Sequence, residues 1–115
     1  MTFFSGKTVL VTGGTGLIGQ PLVELLIEAG AHVRIASLDN PARAPRGTDF
    51  RRVDLREFSE CLRVAEGCQM VFQLAGVKGS PAMTARRPSS FFVPTVMFNT
   101  NMMEAARRQD RKSVV

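Results

Sequence analysis

Three glycines near the amino terminus have the spacing that points most directly to chemistry. Gly13, Gly16 and Gly19 follow a continuous apolar run and precede a segment whose apolar residues recur at helical spacing. In such a strand–turn–helix, the first glycine permits a tight turn, the second leaves room for a pyrophosphate, and the third lets the helix pack on the strand. The helix start then holds the phosphate charge. The spacing therefore predicts a dinucleotide-binding turn. Its predicted contact residues are Gly13, Thr15, Gly16, Leu17, Ile18 and Gly19.

The elements that must position this turn alternate between short β-branched runs and longer segments of helical period. Predicted strands cover Thr8–Thr12, Val33–Ser37, Phe50–Val53 and Met70–Leu74, with Ser113–Val115 opening a fifth. Predicted helices cover Leu17–Ala29, Ser59–Gly67 and a long segment from Ser89 or Ser90 to Arg108. This alternation is typical of βαβ units. We expect an α/β fold, a Rossmann-like doubly wound parallel sheet of order 3-2-1-4, incomplete after the start of strand five.

Two details of the predicted helices can be checked directly. In the first helix, the apolar residues at helical spacing are Leu22, Leu25, Leu26 and Ala29. In the long helix, Pro94 is expected in the first turn, where its missing N–H costs little. Gly76 to Pro88 is predicted to be a loop, rich in turn-forming residues.

Composition and charge exclude several classes of function. The 115 residues allow one domain, and 44% hydrophobic against 22% charged residues indicates a globular chain. The net charge is +5, but there is no Trp or Tyr, and the phenylalanines do not interleave with the arginines, which disfavours nucleic-acid binding. No apolar run approaches the roughly 18 residues that cross a bilayer, and no signal peptide is visible. We expect a cytoplasmic protein without membrane association.

The cysteines and the histidine do not form a metal site. Cys61 and Cys68 lack the Cys-x-x-Cys spacing, and His32 is far from both in the sequence. We expect no metal, no disulfide scaffold, and two small buried thiols.

Four motifs in order resemble those of one family. Thr12-Gly-Gly-Thr-Gly-Leu-Ile-Gly19 resembles the opening of the extended short-chain dehydrogenase/reductases, specifically the NAD-dependent epimerase/dehydratase family. Asp54-Leu55, Phe72-Gln-Leu-Ala-Gly76 and Asn101-Met-Met-Glu-Ala-Ala106 resemble its later motifs. The resemblance implies that Asp54 and Leu55 contact adenine. It also implies that the small residues after strand four line the adenine ribose and pyrophosphate; these are Leu74, Ala75 and Gly76.

The expected cofactor is NAD, with NADP as the alternative. Many NAD-dependent members have an acid at the end of strand two that binds the ribose hydroxyls, where this sequence has Ser37. Asp39 stands two residues later, and two interpretations stay open: it reaches the ribose, or it caps a turn. Arg43 and Arg46 could instead meet a 2′-phosphate, although solvated loop arginines are common.

Other positions depart from the family pattern or leave their role open. Thr95 stands where many members have an Asn near the active site. Lys78, on the loop after strand four, could approach a nucleotide-sugar phosphate or serve only solubility.

The largest departure is the lack of the catalytic group. Members carry a Ser or Thr after strand five and a Tyr-x-x-x-Lys helix, whose Tyr acts as acid or base. This sequence contains no tyrosine. We therefore expect residues 1–115 to be an NAD(P)-binding Rossmann domain truncated before the catalytic segment. It would be the cofactor part of an epimerase, dehydratase or reductase acting on a nucleotide sugar, and inactive alone. The alternatives are a dinucleotide-sensing regulatory module without catalysis and the product of a premature stop.

The long helix is predicted to be apolar on two sides. Phe91, Phe98 and Met102 mark one face, and Phe92, Val96, Met103 and Ala106 another. One face would pack on the sheet. The other would meet a second subunit, giving a homodimer through the 91–108 helix, or a following helix.

Overall fold

Five parallel strands form one sheet with helices on both faces. The computed structural model describes residues 3–76, 85–86, 88–109 and 113–114. The strands are β1 (Thr8–Thr12), β2 (His32–Ser37), β3 (Asp49–Arg52), β4 (Met70–Gln73) and β5 (Ser113–Val114). The helices are α1 (Gly19–Glu28), α2 (Phe58–Ala65) and α3 (Pro88–Arg108), with a short 3-10 turn at Pro41–Arg43. The strand order β3-β2-β1-β4-β5 confirms the predicted Rossmann-like class and order 3-2-1-4.

The register of the sheet brings the ends of three strands together. Thr12 at the end of β1 is the partner of Ala36 in β2 and of Gln73 in β4. All the pairs are parallel, so the carboxyl ends of β1, β2 and β4 meet at one edge. In doubly wound sheets, ligands bind outside this edge at the point where the strand order reverses. That point lies next to β1.

The central strand is buried on both faces, as its continuous apolar sequence predicts. Leu10 packs in the cluster that contains residues of α2 and α3, whereas Val9 and Val11 pack in the cluster that contains residues of α1. All three side chains are fully buried. The strand that carries the glycine turn is therefore fixed from both sides.

Both cysteines are buried, as predicted. Cys61 lies in α2, and its Sγ donates to the carbonyl oxygen of Leu55 at 3.3 Å. Burial is the main cause that raises the pKa of Cys61 to about 11. This thiol is consequently protonated at neutral pH and acts as a small core group. His32, by contrast, is exposed at the start of β2.

Helix α1 buries only part of the stripe that its leucines suggest: Leu26 is buried and Leu22 packs against the core, but Leu25 does not. Gly19, Val23 and Leu26 are buried, whereas Leu25 is 62% exposed. Gly19 is the point where the helix contacts the turn, and Val23 and Leu26 follow it at four and seven residues on the same face. Leu25 therefore points away from the sheet. The contact at Gly19, and not the total of large apolar residues, sets the rotation of the helix.

Helix α3 begins earlier than predicted. Ser89 and Ser90 lie inside it, and Pro94 lies beyond its first turn, so the proline offers no N–H to the carbonyl four residues before it. The expectation of Pro94 in the first turn was wrong, because the helix starts at Pro88. Most of the predicted loop from Gly76 to Pro88 lies outside the described residues, as does Lys78; residues 85–86, which are described, are helical.

One face of α3 packs on the core and the other is exposed. Met102, Ala105 and Ala106 are buried, so Ala106 belongs to the inner face and not to the outer one predicted for it. On the outer face, Phe92 is 68% exposed and Met103 is 61% exposed. The side chain of Phe91 lies outside the described residues. A second subunit on the outer face stays a prediction. None of the described helices has the length and apolar character to cross a membrane.

Candidate functional site

A cavity of about 720 Å³ opens at the carboxyl edge of the sheet beside β1. All the predicted site residues except Asp54 line it, from Gly13 in the turn to Gly76 after β4. Ser37 and Arg43 line it too. So do residues that the motifs did not single out: Ala36, Leu38, Val53 and Phe98. Among the described residues that line this cavity, Arg46 is absent. The volume lies in the range of about 300–1,000 Å³ that is usual for small-molecule sites.

The turn after β1 depends on the backbone freedom of Gly13. Its φ is +69°, in the left-handed region that favours glycine. Its N–H donates to Ala36 O at 3.1 Å, and the N–H of Gly16 donates back to Gly13 O at 3.1 Å. A Cβ on Gly13 would lie 3.1 Å from the backbone nitrogen of Ala75. The turn is thus pressed against the loop that follows β4.

Gly19 lets the start of α1 lie directly on this turn. A Cβ at this position would come within 2.2 Å of Gly13 O. In the described part of the chain, the N–H groups of Leu17 and Ile18 have no acceptor, and no side chain caps the helix. Gly16 to Gly19 line the cavity. The helix start therefore presents unused donors and the positive end of its dipole to the cavity, an arrangement suited to a phosphate.

Asp39 joins the turn to the loop after β2. Thr15 Oγ1 donates to Asp39 Oδ2 at 3.1 Å, and Arg43 Nη1 lies 3.2 Å from the same oxygen. The N–H of Asn40 donates to Oδ1 at 2.8 Å. The bond from Asn40, followed by those from Thr15 and Arg43, lowers the pKa of Asp39. The carboxylate both fixes the loop locally and lines the cavity, so the two interpretations of Asp39 are compatible.

Thr12 joins the end of β1 to the loop after β4. Its buried hydroxyl donates to Gln73 Oε1 at 2.6 Å and accepts from the N–H groups of Leu74 and Ala75 at 3.0 and 3.2 Å. Leu74 N also donates to Thr12 O at 3.2 Å. One hydroxyl therefore sets the position of the backbone of Leu74 and Ala75, which line the cavity.

The comparison with family models decides the family. The model of the NAD dependent epimerase/dehydratase family matches residues 9–115, which include the glycine turn and all of the strands except Thr8. The chain belongs to the NAD-dependent epimerase/dehydratase family.

Proteins similar to most or all of this chain are much longer than the chain itself. GDP-mannose 3,5-epimerase 1 of Oryza sativa subsp. japonica is 28% identical over 102 residues, which are 86% of this chain and 27% of the relative. Cinnamoyl-CoA reductase 1 of Petunia hybrida is 30% identical across 100% of this chain and 36% of its own length. The chain thus spans about a third of such relatives.

Solved structures show the same arrangement of elements. The UDP-glucose 4-epimerase of Thermus thermophilus, in its complex with NAD, is similar with a TM-score of 0.82 and 28% identity, over 93% of this chain and 36% of that one. Pen from Bacillus thuringiensis, with a TM-score of 0.87 and 23% identity over 98% of this chain and 37% of that one, is similar in fold.

Asp54 and Leu55, the motif that follows β3, lie in different surroundings. Leu55 lines the cavity together with Val53. The carboxylate of Asp54 is bound instead by the Arg56 guanidinium, with Nη2 at 2.8 Å and Nε at 3.0 Å. The bond from Arg56 lowers the pKa of Asp54. The contact of Asp54 with adenine stays a prediction.

Asn101 of the family's helix motif connects α3 to the segment of Leu55 and Arg56. Its Nδ2 donates to Leu55 O at 2.8 Å and to Arg56 O at 3.2 Å. Phe98, less than one turn earlier on α3, lines the cavity itself. Nearer the start of α3, Thr95 Oγ1 lies 3.8 Å from where a Cβ on Gly76 would stand. The motif identified Asn101, but the sequence carried no sign of which carbonyls it would bind.

We expect Asn101→Ala to lower the free energy of unfolding by about 1–2 kcal/mol, because two bonds to carbonyl groups are lost. It should also weaken dinucleotide binding, since Leu55 is released. Chemical denaturation measures the first effect and ligand titration the second. The matched control is Asn99→Ala, which removes an exposed bond to Thr95 O within the same helix. Equal effects of the two variants would contradict the link to Leu55.

The residues present fit a dinucleotide. The glycine positions form a cradle that a Cβ at Gly13 or Gly19 would obstruct. The helix start offers N–H donors for phosphate, and Val53, Leu55 and Phe98 offer apolar surface for a flat base. The polar groups of Thr15, Ser37 and Asp39 line the same cavity and are bonded to one another. Donors, an apolar wall and acceptors thus line one cavity, as is usual for sites that bind small molecules.

Proposed function

We propose that this cavity binds NAD(H). We further propose that the chain supplies the cofactor-binding part of an epimerase, dehydratase or reductase that acts on a nucleotide sugar. The observation that carries the proposal is the contact at Gly19, which places the uncapped start of α1 against the turn and inside the cavity. The names of two similar proteins, a GDP-mannose epimerase and a UDP-glucose epimerase, support the substrate class.

Each region of the cavity has a task in this proposal. The turn from Gly13 to Gly19 would bind the pyrophosphate through backbone N–H groups, with Thr15 in its wall. Asp39 would accept from the ribose, and the segment of Asp54 and Leu55 would contact adenine. Leu74, Ala75 and Gly76 would line the ribose and pyrophosphate. When bound, NAD supplies the hydride acceptor, whereas these residues bind and orient it.

We expect binding without turnover from these 115 residues. The sequence has no tyrosine, and the ionisable side chains among the described cavity residues, Asp39 and Arg43, are paired with each other. Neither is free to take a proton from a sugar hydroxyl. Purified protein mixed with NAD and either UDP-glucose or GDP-mannose should give no epimerised or reduced sugar by NMR. Turnover above the protein-free rate would contradict this expectation.

Cofactor binding is tested by titration calorimetry and thermal unfolding. NADH should bind saturably, and at 100 times its Kd it should add about 2.7 kcal/mol to the free energy of unfolding. Nicotinamide mononucleotide is the control ligand, because it lacks the adenosine and one phosphate and should bind more weakly. A folded protein that shows neither heat of binding nor a shifted midpoint with millimolar NADH would overturn the proposal.

A further inference from the structure

The ion pair of Asp39 and Arg43 stands in the cavity near the end of β2, where the adenosine ribose is proposed to lie. Three donors already reach the Asp39 carboxylate: the N–H of Asn40 on Oδ1, and the Thr15 hydroxyl and Arg43 Nη1 on Oδ2. The N–H of Asp39 itself donates to Ser37 Oγ at 3.0 Å. Most of the hydrogen-bonding capacity of the Asp39 carboxylate is therefore used within the protein.

The side chain of Arg43 makes fewer hydrogen bonds than that of Asp39. The Arg43 side chain is 58% exposed, and among the described residues its bonds are made through Nη1 to Asp39 alone. A guanidinium has five N–H donors, so most of them stay available. Arg43 also lines a second cavity of about 470 Å³, which shares Thr15, Gly16 and Leu17 with the first and is lined by Glu24 as well. It thus stands at the boundary of the two cavities.

The charges of this region are balanced. An unpaired acid at the ribose would repel a 2′-phosphate, which is how such an acid selects NAD. Here the negative charge of Asp39 is offset by Arg43, and Ser37, which adds no charge, occupies the end of β2. A partly exposed ion pair of this kind is weak, so Arg43 can turn toward a competing anion.

We propose that the site accepts both NAD(H) and its 2′-phosphorylated form, and that Arg43 is the residue that binds the 2′-phosphate. The inference rests on the proposed function, since it concerns the same cavity. With NADPH, Arg43 donates to the phosphate, and Asp39 keeps its bonds from Asn40 and Thr15. With NADH, Arg43 stays on Asp39, and the remaining acceptor capacity of Oδ1 is open to a ribose hydroxyl.

The test compares Kd values for NADH and NADPH by calorimetry, with 5′-ADP and 2′,5′-ADP as probes of the adenosine end alone. Wild type should bind the two dinucleotides within about tenfold of each other. Arg43→Gln should weaken NADPH and 2′,5′-ADP about tenfold or more, because a charge-assisted bond is lost, and leave NADH within about threefold. Asp39→Asn should strengthen NADPH and weaken NADH. The NADPH Kd should also rise more steeply with salt.

The control is Arg107→Gln, which removes an arginine from another exposed pair, that with Glu104 on α3. It should leave both Kd values unchanged. Wild type that binds NADH but excludes NADPH by more than about a hundredfold would overturn the inference and leave the proposed function standing. An Arg43→Gln variant with an unchanged ratio of the two Kd values would also overturn it. Failure to bind either dinucleotide would instead remove the proposed function, and this inference with it.

Discussion

Gly19→Ala is expected to destabilise the fold by about 3 kcal/mol, the upper end of the usual cost of overpacking a well-filled site. A single added methyl group would stand 2.2 Å from Gly13 O and 2.7 Å from the Cα of Gly14. Both neighbours are backbone atoms, so no side chain can rotate away. Either α1 or the turn must move.

The sign of this effect is opposite to the ordinary one. Alanine in place of glycine within a helix normally stabilises by about 0.5–1 kcal/mol. We expect the NADH Kd to rise at least about tenfold as well, since a displaced turn no longer aligns its N–H groups with a phosphate. Urea denaturation and calorimetric titration of the same samples measure both effects.

Gly67→Ala is the matched control. Gly67 has a φ of +80° and no atom within 4 Å of where its Cβ would lie. Its replacement should cost only the backbone strain of about 1–2 kcal/mol and leave the NADH Kd unchanged. A Gly19→Ala variant that is as stable as wild type and binds NADH normally would contradict the close contact between α1 and the turn. It would also contradict the proposed phosphate site at the start of α1.

The sequence predicted the sheet and the turn because both depend on local patterns. The apolar run of β1 and the glycine spacing after it each occupy a few consecutive residues, and parallel βαβ connections leave few strand orders to choose from. Eleven consecutive residues, Val9 to Gly19, contain the strand and the turn that determine the position of the cavity.

The rotation of α1 and the partners of the polar side chains could not be predicted in this way. Leu25 looked like a core residue, but the contact between Gly19 and Gly13 turns it outward. Asn101 reaches carbonyl groups that are 45 and 46 positions away in the sequence. Such bonds join elements that meet only in the folded chain, so no spacing rule reports them. The predicted start of α3 was also wrong, since the helix begins at Pro88 and contains Pro94.

Thr12 is the strongest example of a contact of this kind, and Thr12→Val is the second large effect that we expect. Valine keeps the shape of threonine but removes the hydroxyl. The N–H of Leu74 keeps its bond to Thr12 O, whereas the N–H of Ala75 and Gln73 Oε1 lose the partners they have in the structure. Because Gln73 and Ala75 are partly buried, losing these two bonds should lower the free energy of unfolding by about 1–3 kcal/mol.

The same variant should weaken NADH binding, because Leu74 and Ala75 form a wall of the cavity and the hydroxyl holds their backbone in place. Thr12→Ser separates this role from simple packing. Serine keeps the hydroxyl and loses one methyl group, so it should cost about 1 kcal/mol and retain an NADH Kd close to that of wild type. If valine and serine weakened NADH binding equally, the methyl group and not the hydroxyl would position the loop. If neither did, the wall after β4 would be held by the packing of Gly13 against Ala75 instead.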